Sequence, residues 1–158
     1  MSLRSTNVSP PYAGVMESSR VISVSRVIPA PADRIFDLLA DPSQHPRLDG
    51  SGTVARMRKG PARLSRGARF SMDMRMGVGY VTSNKVVVFV ENRAIAWRHL
   101  ARFVWRYDLT PVDGGTRVSE SFDYARPWGF LLDRTKFPER NRAAMVATLE
   151  RIERIVTS

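Results

Sequence analysis

The hydrophobic pattern is clearest between residues 95 and 124, where apolar and polar positions alternate. Three stretches, 95–99, 103–109 and 118–124, are also rich in aromatic and β-branched residues. Strict alternation of this kind is typical of strands that bury one face of a sheet. The middle stretch places four large side chains on one face: Phe103, Trp105, Tyr107 and Leu109. The pattern therefore predicts three consecutive strands with a common apolar face.

The segment Val112-Asp113-Gly114-Gly115 predicts the turn between the last two of these strands. Asp-Gly favours a two-residue hairpin loop, since both central positions of a type I′ turn need a positive φ. Directly opposed residues then point to the same face of the sheet. The opposed pairs are Leu109 with Val118, Tyr107 with Glu120, and Trp105 with Phe122. This register places a carboxylate, Glu120, on an apolar face, where packing alone does not explain it.

The rest of the chain contains further strands and helices by the same criteria. Alternation predicts strands at 20–28, 53–58, 68–76 and 80–91, the last with a bulge in its apolar run at 86–90. Helical spacing predicts helices at 32–40 and about 43–48, and a long helix from 137 to about 156. A single antiparallel sheet with one apolar face needs a cover, and only the long helix is large enough. We therefore expect an α+β fold with a cavity between sheet and helix, the default site for a ligand.

Length and composition indicate one domain. The 158 residues suffice to bury a sizeable core. We expect a single domain over residues 20–158, after a flexible tail at 1–19 that is rich in Ser, Pro and Asn. The absence of cysteine excludes disulfides and thiolate metal sites, and it fits a reducing, cytoplasmic environment. The longest apolar run, residues 86–90, is far too short to span a membrane.

The formal net charge of +10 is carried mostly by arginine. Such a charge permits nucleic acid, anionic lipid or an acidic ligand as a partner. The simpler interpretation is that the arginines are spread over a solvated surface. The densest segment, residues 56–69, contains no acid, but Phe70 is its only neighbouring aromatic residue that could stack on a base. We therefore expect this segment to lie at a rim and to attract acidic groups at most, with nucleic acid disfavoured as a partner.

Nine short motifs, in this order of elements, resemble one superfamily. They are Ala30-Pro31-Ala32 with Ile35-Phe36, Leu39-Ala40-Asp41-Pro42, His45-Pro46, Asp49-Gly50-Ser51-Gly52, Asp73-Met74-Arg75-Met76-Gly77, Ala96-Trp97-Arg98-His99, Trp105-Arg106-Tyr107-Asp108-Leu109, Asp113-Gly114-Gly115-Thr116-Arg117-Val118 and Phe137-Pro138-Glu139-Arg140-Asn141. They cover about residues 20–156 and are similar to the SRPBCC or START-like superfamily, especially to actinobacterial members of its polyketide cyclase/dehydrase branch. The resemblance implies the helix-grip fold, a curved antiparallel sheet of about seven strands around a C-terminal helix, with two short helices after strand one. It implies no single function, because the superfamily includes lipid carriers, hormone receptors, cyclases and hydroxylase domains.

The polar candidates on the apolar face are Tyr107, His99 and Glu120. His99 shares a face with Ile95 and Trp97 and is therefore expected to point inward. It could form an acid/base pair with Glu120, or the two could be a satisfied polar pair in the core. This arrangement requires an odd loop or a bulge between residues 99 and 103, since a two-residue loop would place Trp97 opposite Arg106. His45, the second histidine, is favoured as a surface residue over a ligand contact.

The expected ligand is a small hydrophobic or amphipathic molecule bound in the cavity. Its wall is expected to contain Phe36, Met72, Met74, Met76, Trp97, His99, Trp105, Tyr107, Glu120, Phe122, Met145 and Leu149. Methionine is common in such walls because it adapts to the shape of an apolar ligand. Two histidines without a helical His pair or any cysteine indicate no metal site, and no cofactor is expected. The oligomeric state is left open between monomer and dimer.

Three functions remain open on the sequence. The first is binding or transport of a lipid- or polyketide-like molecule. The second is an enzyme of the cyclase or dehydrase type, in which His99, Glu120 or Tyr107 would move protons. The third is a nucleic-acid or anionic-surface binder that uses residues 56–69.

Overall fold

A computed structural model describes residues 20–99, 102–125 and 128–158, so the expected tail at 1–19 lies outside the described residues. The elements follow the predicted order of strand, short helices, antiparallel strands and long helix. They are β1 (Val21–Ile28), α1 (Ala32–Ala40), a 3-10 turn (Pro42–Gln44), α2 (His45–Leu48), β2 (Val54–Lys59), β3 (Arg69–Met76), β4 (Val78–Val90), β5 (Ala94–His99), β6 (Val104–Val112), β7 (Gly115–Asp123), α3 (Gly129–Leu132) and α4 (Phe137–Thr157). This arrangement confirms the predicted α+β helix-grip architecture.

The seven strands form one sheet in the order β1-β7-β6-β5-β4-β3-β2, with every neighbouring pair antiparallel. The predicted register of β6 and β7 is confirmed, with Tyr107 opposite Glu120 and Trp105 opposite Phe122. The expected type I′ turn is wrong, because of its two central residues only Gly114 has a positive φ and Asp113 does not. The odd loop is confirmed as well, because Trp97 lies opposite Trp105. The expected bulge of β4 lies between Val86 and Val88, and two further register shifts interrupt the pairing of β2 with β3.

The helix α4 lies against the concave face of the sheet. Its buried side chains recur at helical spacing and include Met145, Leu149, Ile152 and Val156. Pro138 suits the first turn, where its missing N–H needs no partner, and Glu139 complements the positive end of the helix dipole. Among the described residues no helix is long and apolar enough to cross a membrane.

The turn between β3 and β4 is shorter than predicted, because β4 begins at Val78 instead of residue 80. The sequence suggested a turn at 77–79, but β3 ends at Met76 and β4 begins at Val78, with only Gly77 between them. Gly77 has a φ of 74°, a value that costs glycine little because it lacks a Cβ. Met76 therefore lies at a hairpin tip and is exposed, which corrects its expected place in the wall of a cavity.

The antiparallel order gathers several connections at one end of the sheet. The β3–β4 hairpin, the connection from β5 to β6, the start of β1 and the end of β7 with α3 all lie there. We call this the hairpin end. The opposite end carries the turns from β4 to β5 and from β6 to β7.

The close contact between the loop after α2 and the helix α4 generates a prediction about stability. A Cβ on Gly50 would lie 2.3 Å from the carbonyl oxygen of Ala144 and 2.7 Å from the Cβ of Ala147. Gly50→Ala should therefore lower the free energy of unfolding by about 1–3 kcal/mol, measured by urea denaturation, since this loop and α4 must move apart. Gly79→Ala is the control, because its Cβ would meet no atom nearer than 3.8 Å. Equal denaturation midpoints for the two variants would contradict this packing.

Candidate functional site

The centre of the candidate site is a hydrogen bond between two opposed strands. Tyr107 on β6 and Glu120 on β7 face each other, and the Tyr107 hydroxyl donates to Glu120 Oε1 at 3.0 Å. Glu120 is only 1% exposed, and its second oxygen, Oε2, has no hydrogen-bond partner among the described residues. A buried polar atom without a partner costs free energy, so this oxygen marks a place where a further polar group would be stabilising.

Burial changes the protonation of both groups. It raises the pKa of Glu120 to about 8, a shift that the Tyr107 hydrogen bond opposes and the nearby Asp49 carboxylate reinforces. Burial also raises the pKa of Tyr107 well above its usual range. At neutral pH most of the Glu120 side chain is therefore the neutral acid. The pair then offers a ligand both a hydroxyl donor and carbonyl or hydroxyl acceptors, without a net charge.

Apolar residues surround the pair on the same face. Along the sheet, Ile95 lies opposite Tyr107 and Val24 lies opposite Glu120. The Trp97 ring lies 5.8 Å from the Tyr107 ring, and the next row contains Trp105 and Phe122, whose rings are 4.4 Å apart. The predicted carboxylate on an apolar face is thus confirmed, with Tyr107 as its partner.

His45 occupies a different place from the expected one. It is buried, and its ring stacks on Trp97 with centroids 4.9 Å apart and meets the edge of Phe70 at 5.5 Å. Its Nε2 lies 2.9 Å from the carbonyl oxygen of Leu39, which it can reach as a donor. Burial lowers the pKa of His45, so the ring is neutral. The expectation of a surface histidine was wrong, because the short α2 helix turns this flat ring towards the aromatic face of the sheet.

His99 lies on the inner face but apart from Glu120. Ile95 marks the level of the Tyr107–Glu120 pair on β5, and His99 is four residues further along, about 13 Å at the usual rise of a strand. The proposed pairing of His99 with Glu120 is therefore not formed. The error arose because alternation along a strand shows which residues share a face of the sheet. It does not show how far apart two such residues lie along the strand direction.

His99 instead belongs to a second polar group nearer the hairpin end. It lies opposite Asn84 on β4, and its ring approaches Trp105 at 6.4 Å. Burial lowers the pKa of His99 to about 4, so the ring is neutral at physiological pH. Asn84 is buried, and its Oδ1 lacks a hydrogen-bond partner in the described part of the chain. We call Asn84 with His99 the outer pair, and Tyr107 with Glu120 the inner pair.

The other predicted wall residues fall into three groups. Met72, Trp97 and Leu149 are buried in one apolar cluster and Phe122 and Met145 in a second, whereas Met74 and Trp105 are half-buried. Phe36 on α1 is also buried, where its ring meets Phe89 edge-on at 5.2 Å. Met76 lies outside, at the hairpin tip. Most of the residues predicted for the wall thus lie in the two buried apolar clusters, and their contact with a ligand stays a prediction.

Asn84 was missed by the sequence analysis. Its strand contains valines at 86–88 and at 90, which are apolar on both faces, so the pattern there did not indicate which side was inward. The bulge between Val86 and Val88 reverses the alternation within this run. The residues before the bulge did contain a signal, because they alternate without interruption. Thr82, Asn84 and Val86 share one face of the strand, and Val81, Ser83 and Lys85 share the other.

The basic segment 56–69 is neutralised in part by acids from other elements. Arg56 and Arg58 both bind Asp73, each at 2.6 Å, and Arg63 binds Asp37 at 3.0 Å and also contacts Glu91. The described residues contain no group of three or more His, Cys, Asp or Glu side chains placed to hold a metal ion.

The buried inner pair generates a prediction about pH. The folded pKa of Glu120, about 8, lies above its ordinary value of 4.5, so folding retains a proton that the unfolded chain releases. Stability from this residue should therefore fall as pH rises from about 5 to about 8, by about 1.4 kcal/mol per unit at most. Glu120→Gln, which does not titrate, should remove this slope and gain in stability relative to the wild type towards pH 8.

The measurement is the difference in unfolding free energy between wild type and Glu120→Gln across this range. Changes in His45 and His99 cancel in the difference, because both proteins contain them. Glu139→Gln is the matched control, since it makes the same change of side chain at an exposed position in the first turn of α4. If the difference in unfolding free energy between the wild type and Glu120→Gln does not change with pH, Glu120 does not retain a proton on folding.

Comparison with known proteins gives relatives of low and moderate similarity. The uncharacterized protein Rv0088 of Mycobacterium tuberculosis is 34% identical over 83% of this chain, and the chain spans 62% of that relative's length. The crystal structure of Ms6760 from Mycobacterium smegmatis has a TM-score of 0.69 at 19% identity, covering 87% of this chain and 91% of its own. The solution structure of an AHSA1-like protein from Aeromonas hydrophila has a TM-score of 0.66 at 18% identity, covering 87% and 92%. The two structures show the shared fold.

The family is shown by a match along nearly the whole chain. A family described as polyketide cyclase / dehydrase and lipid transport matches residues 19–157, which include every described helix and strand. This range contains the nine motifs on which the resemblance rested, and it confirms that resemblance. The chain belongs to the polyketide cyclase/dehydrase and lipid transport family of the SRPBCC superfamily.

Proposed function

We propose that this protein binds a small apolar or amphipathic molecule, lipid- or polyketide-like, between the sheet and α4. The observation that carries the proposal is that two buried oxygens on the inner face, Glu120 Oε2 and Asn84 Oδ1, have no partner among the described residues; a third such atom, Asn92 Oδ1, lies in the turn between β4 and β5. Buried polar atoms in folded proteins are nearly always paired, and an exception calls for an explanation. A ligand that brings a hydroxyl or carbonyl to an otherwise apolar face supplies the missing partner.

The protonation states favour an uncharged polar group on the ligand. The raised pKa of Glu120 and the lowered pKa values of His45 and His99 leave all three side chains mainly neutral near pH 7. An ionised carboxylate or phosphate would find no cation among these groups and would lose its hydration on burial. A ketone, an alcohol or a phenol fits better, because the inner pair can both donate to it and accept from it.

The apolar part of the ligand would lie along the aromatic row. Trp97, Trp105 and Phe122 supply flat surfaces between the two polar pairs. Met145 belongs to the same buried cluster as Phe122, and Met72 lies on β3 beyond the outer pair. Methionine is unbranched and adapts to different shapes, so this wall suits a flexible chain or a fused ring system. Trp105, Met74 and His99 are half-buried, which supports entry from the hairpin end.

One observation favours a second candidate, an enzyme of the cyclase or dehydrase type. A carboxyl group whose pKa is about 8 can give or take a proton near neutral pH, and Tyr107 is already bonded to it. Perturbed carboxyls of this kind are frequent in active sites. The third function was nucleic-acid or anionic-surface binding by residues 56–69. Its nucleic-acid form is weakened by the ion pairs that Asp73, Asp37 and Glu91 form with the segment.

The binding proposal is tested first on the purified full chain. Native mass spectrometry should detect a co-purifying molecule, and the neutral probe N-phenyl-1-naphthylamine should bind with quenching of tryptophan fluorescence. Tyr107→Phe removes the hydroxyl group that donates to Glu120 but keeps the ring. The inner pair then loses one of the two polar groups that it offers to a ligand. Binding of a hydroxyl- or carbonyl-bearing ligand should therefore weaken by about 5- to 100-fold. Ser25→Ala, on the outer face of β1, is the control and should bind as the wild type does. The proposal would be contradicted if the protein bound neither the probe nor any co-purifying molecule.

The enzyme candidate makes a separate prediction. If the inner pair transfers protons, the wild type should dehydrate a β-hydroxythioester to the enoyl thioester and water, or cyclise a poly-β-ketothioester by intramolecular aldol condensation with loss of water. Glu120→Gln should abolish turnover while it still binds N-phenyl-1-naphthylamine. Glutamine matches glutamate in size but cannot exchange a proton in this role. Equal turnover by wild type and Glu120→Gln would exclude Glu120 as the acid or base. Binding without any turnover would leave the carrier function as the sole proposal.

A further inference from the structure

The hairpin end carries an exposed apolar tip. Met76 is 60% exposed and its opposed partner Val78 is 75% exposed. The next opposed pair on the same face consists of Met74, which is half-buried, and Tyr80, which is exposed. Met72, two residues before Met74 on β3, is buried. One continuous apolar ladder thus runs from solvent at the tip to the concave face of the sheet.

A second apolar projection lies at the same end. The helix α3 follows β7, and its beginning exposes Trp128 to 63%, together with Phe130 and Leu131. Large apolar side chains this exposed are seldom grouped on a protein that meets only water. The other large apolar side chains exposed in the described part of the chain are valines spread along several elements, such as Val27 on β1, Val90 on β4 and Val146 on α4.

Positive charge accompanies the hairpin tip. A groove of about 510 Å³ beside the hairpin is lined by Arg56, Arg58 and Arg75, by Asp73, and by Tyr80 and Val81 among others. Three arginines against one aspartate give these lining residues a net charge of +2. Arg56 and Arg58 share that aspartate, so its single charge cannot balance both. The tip is therefore apolar on one side and cationic on the other.

We propose that the hairpin end is a docking surface for an anionic lipid bilayer. Apolar side chains at the tip and on α3 would enter the boundary between headgroups and acyl chains, where tryptophan in particular is stabilised. The arginines would lie at the level of the anionic headgroups. This inference rests on the proposed function, because it names the source from which an apolar ligand would reach the concave face along the ladder from Met76 to Met72.

Two other occupants fit the same surface less well. Nucleic acid would bind the arginines but leave Met76, Val78 and Leu131 in water, with no stabilisation from their burial. A second copy of the chain would cover the apolar side chains but bring two sets of arginines close together. A bilayer with anionic headgroups complements both the apolar and the cationic groups.

The test is sedimentation of the full chain with phosphatidylcholine vesicles, with and without phosphatidylglycerol. The protein should bind the vesicles that contain phosphatidylglycerol, less at high salt, and the emission of Trp128 should shift to the blue. Met76→Ser/Val78→Ser should weaken binding about tenfold or more, because it removes the inserted tip. Arg75→Ser should weaken it about fivefold, the effect of one arginine at an anionic surface. The matched control is Val27→Ser/Val90→Ser, two equally simple changes at the opposite end of the sheet, which should bind as the wild type does.

Several outcomes would overturn the inference. They are no vesicle binding, binding that does not depend on phosphatidylglycerol, and equal binding by the tip variant and its control. Duplex DNA binding that Arg75→Ser abolishes, without vesicle binding, would assign the surface to nucleic acid. A dimer in the wild type that the tip variant loses, again without vesicle binding, would assign it to a second copy of the chain.

Failure of this inference is distinguishable from failure of the proposed function. Binding of N-phenyl-1-naphthylamine in solution requires no bilayer and should persist in the tip variant, whose changes lie outside the buried wall. Probe binding without vesicle binding refutes the docking surface alone. Vesicle binding without probe binding refutes the ligand site but supports the surface. Circular dichroism and thermal melting of each variant establish that it is folded.

Discussion

The register between β6 and β7 is the constraint on which the remaining structure depends. It begins at Asp113 and Gly114, where Gly114 adopts a φ of 85° that allows the strands to reverse within two residues. A slip of one residue would turn Trp105, Tyr107 and their partners to the outer face. Because β5 pairs with β6 and β1 pairs with β7, the error would reach four strands of the sheet and remove the surface on which α4 packs.

Much of this architecture follows from local chemistry and is therefore visible in the sequence. The bounds of α1, the register of the last hairpin and the odd loop after His99 follow from side-chain periodicity and turn residues. The position of Glu120 on an apolar face follows from the same register. These features depend on neighbours close in the chain, and a pattern of period two or 3.6 describes them adequately.

The rest depends on distances between elements that no local pattern contains. His45 belongs to a four-residue helix, too short to display an amphipathic face, and only its packing on Trp97 shows that it is buried. Parity placed His99 on the correct face, but its level relative to Glu120 required the pairing across three strands. Asn84 was hidden because a bulge reversed the alternation beside it. In each case tertiary context decided what the sequence left open.

The buried polar groups indicate how this fold combines stability with a site. Glu120, His45 and His99 are each held in the uncharged form by burial, so the interior contains polar atoms without containing charge. A leucine at position 120 would pack more favourably, and natural proteins commonly retain such unfavourable residues where function needs them.

The irregular pairing of β2 with β3 has a consequence for the edge of the sheet. β2 is an edge strand, so its outer backbone groups form no ladder within this sheet and could serve as a template for a strand from another molecule. Two register shifts within six residues disturb the spacing of those groups, and Arg56, Arg58 and Lys59 add charge along the same strand. An incoming strand would meet a twisted ladder and a row of cations. The edge is thereby protected against strand addition and against the aggregation that a flat, apolar edge would invite.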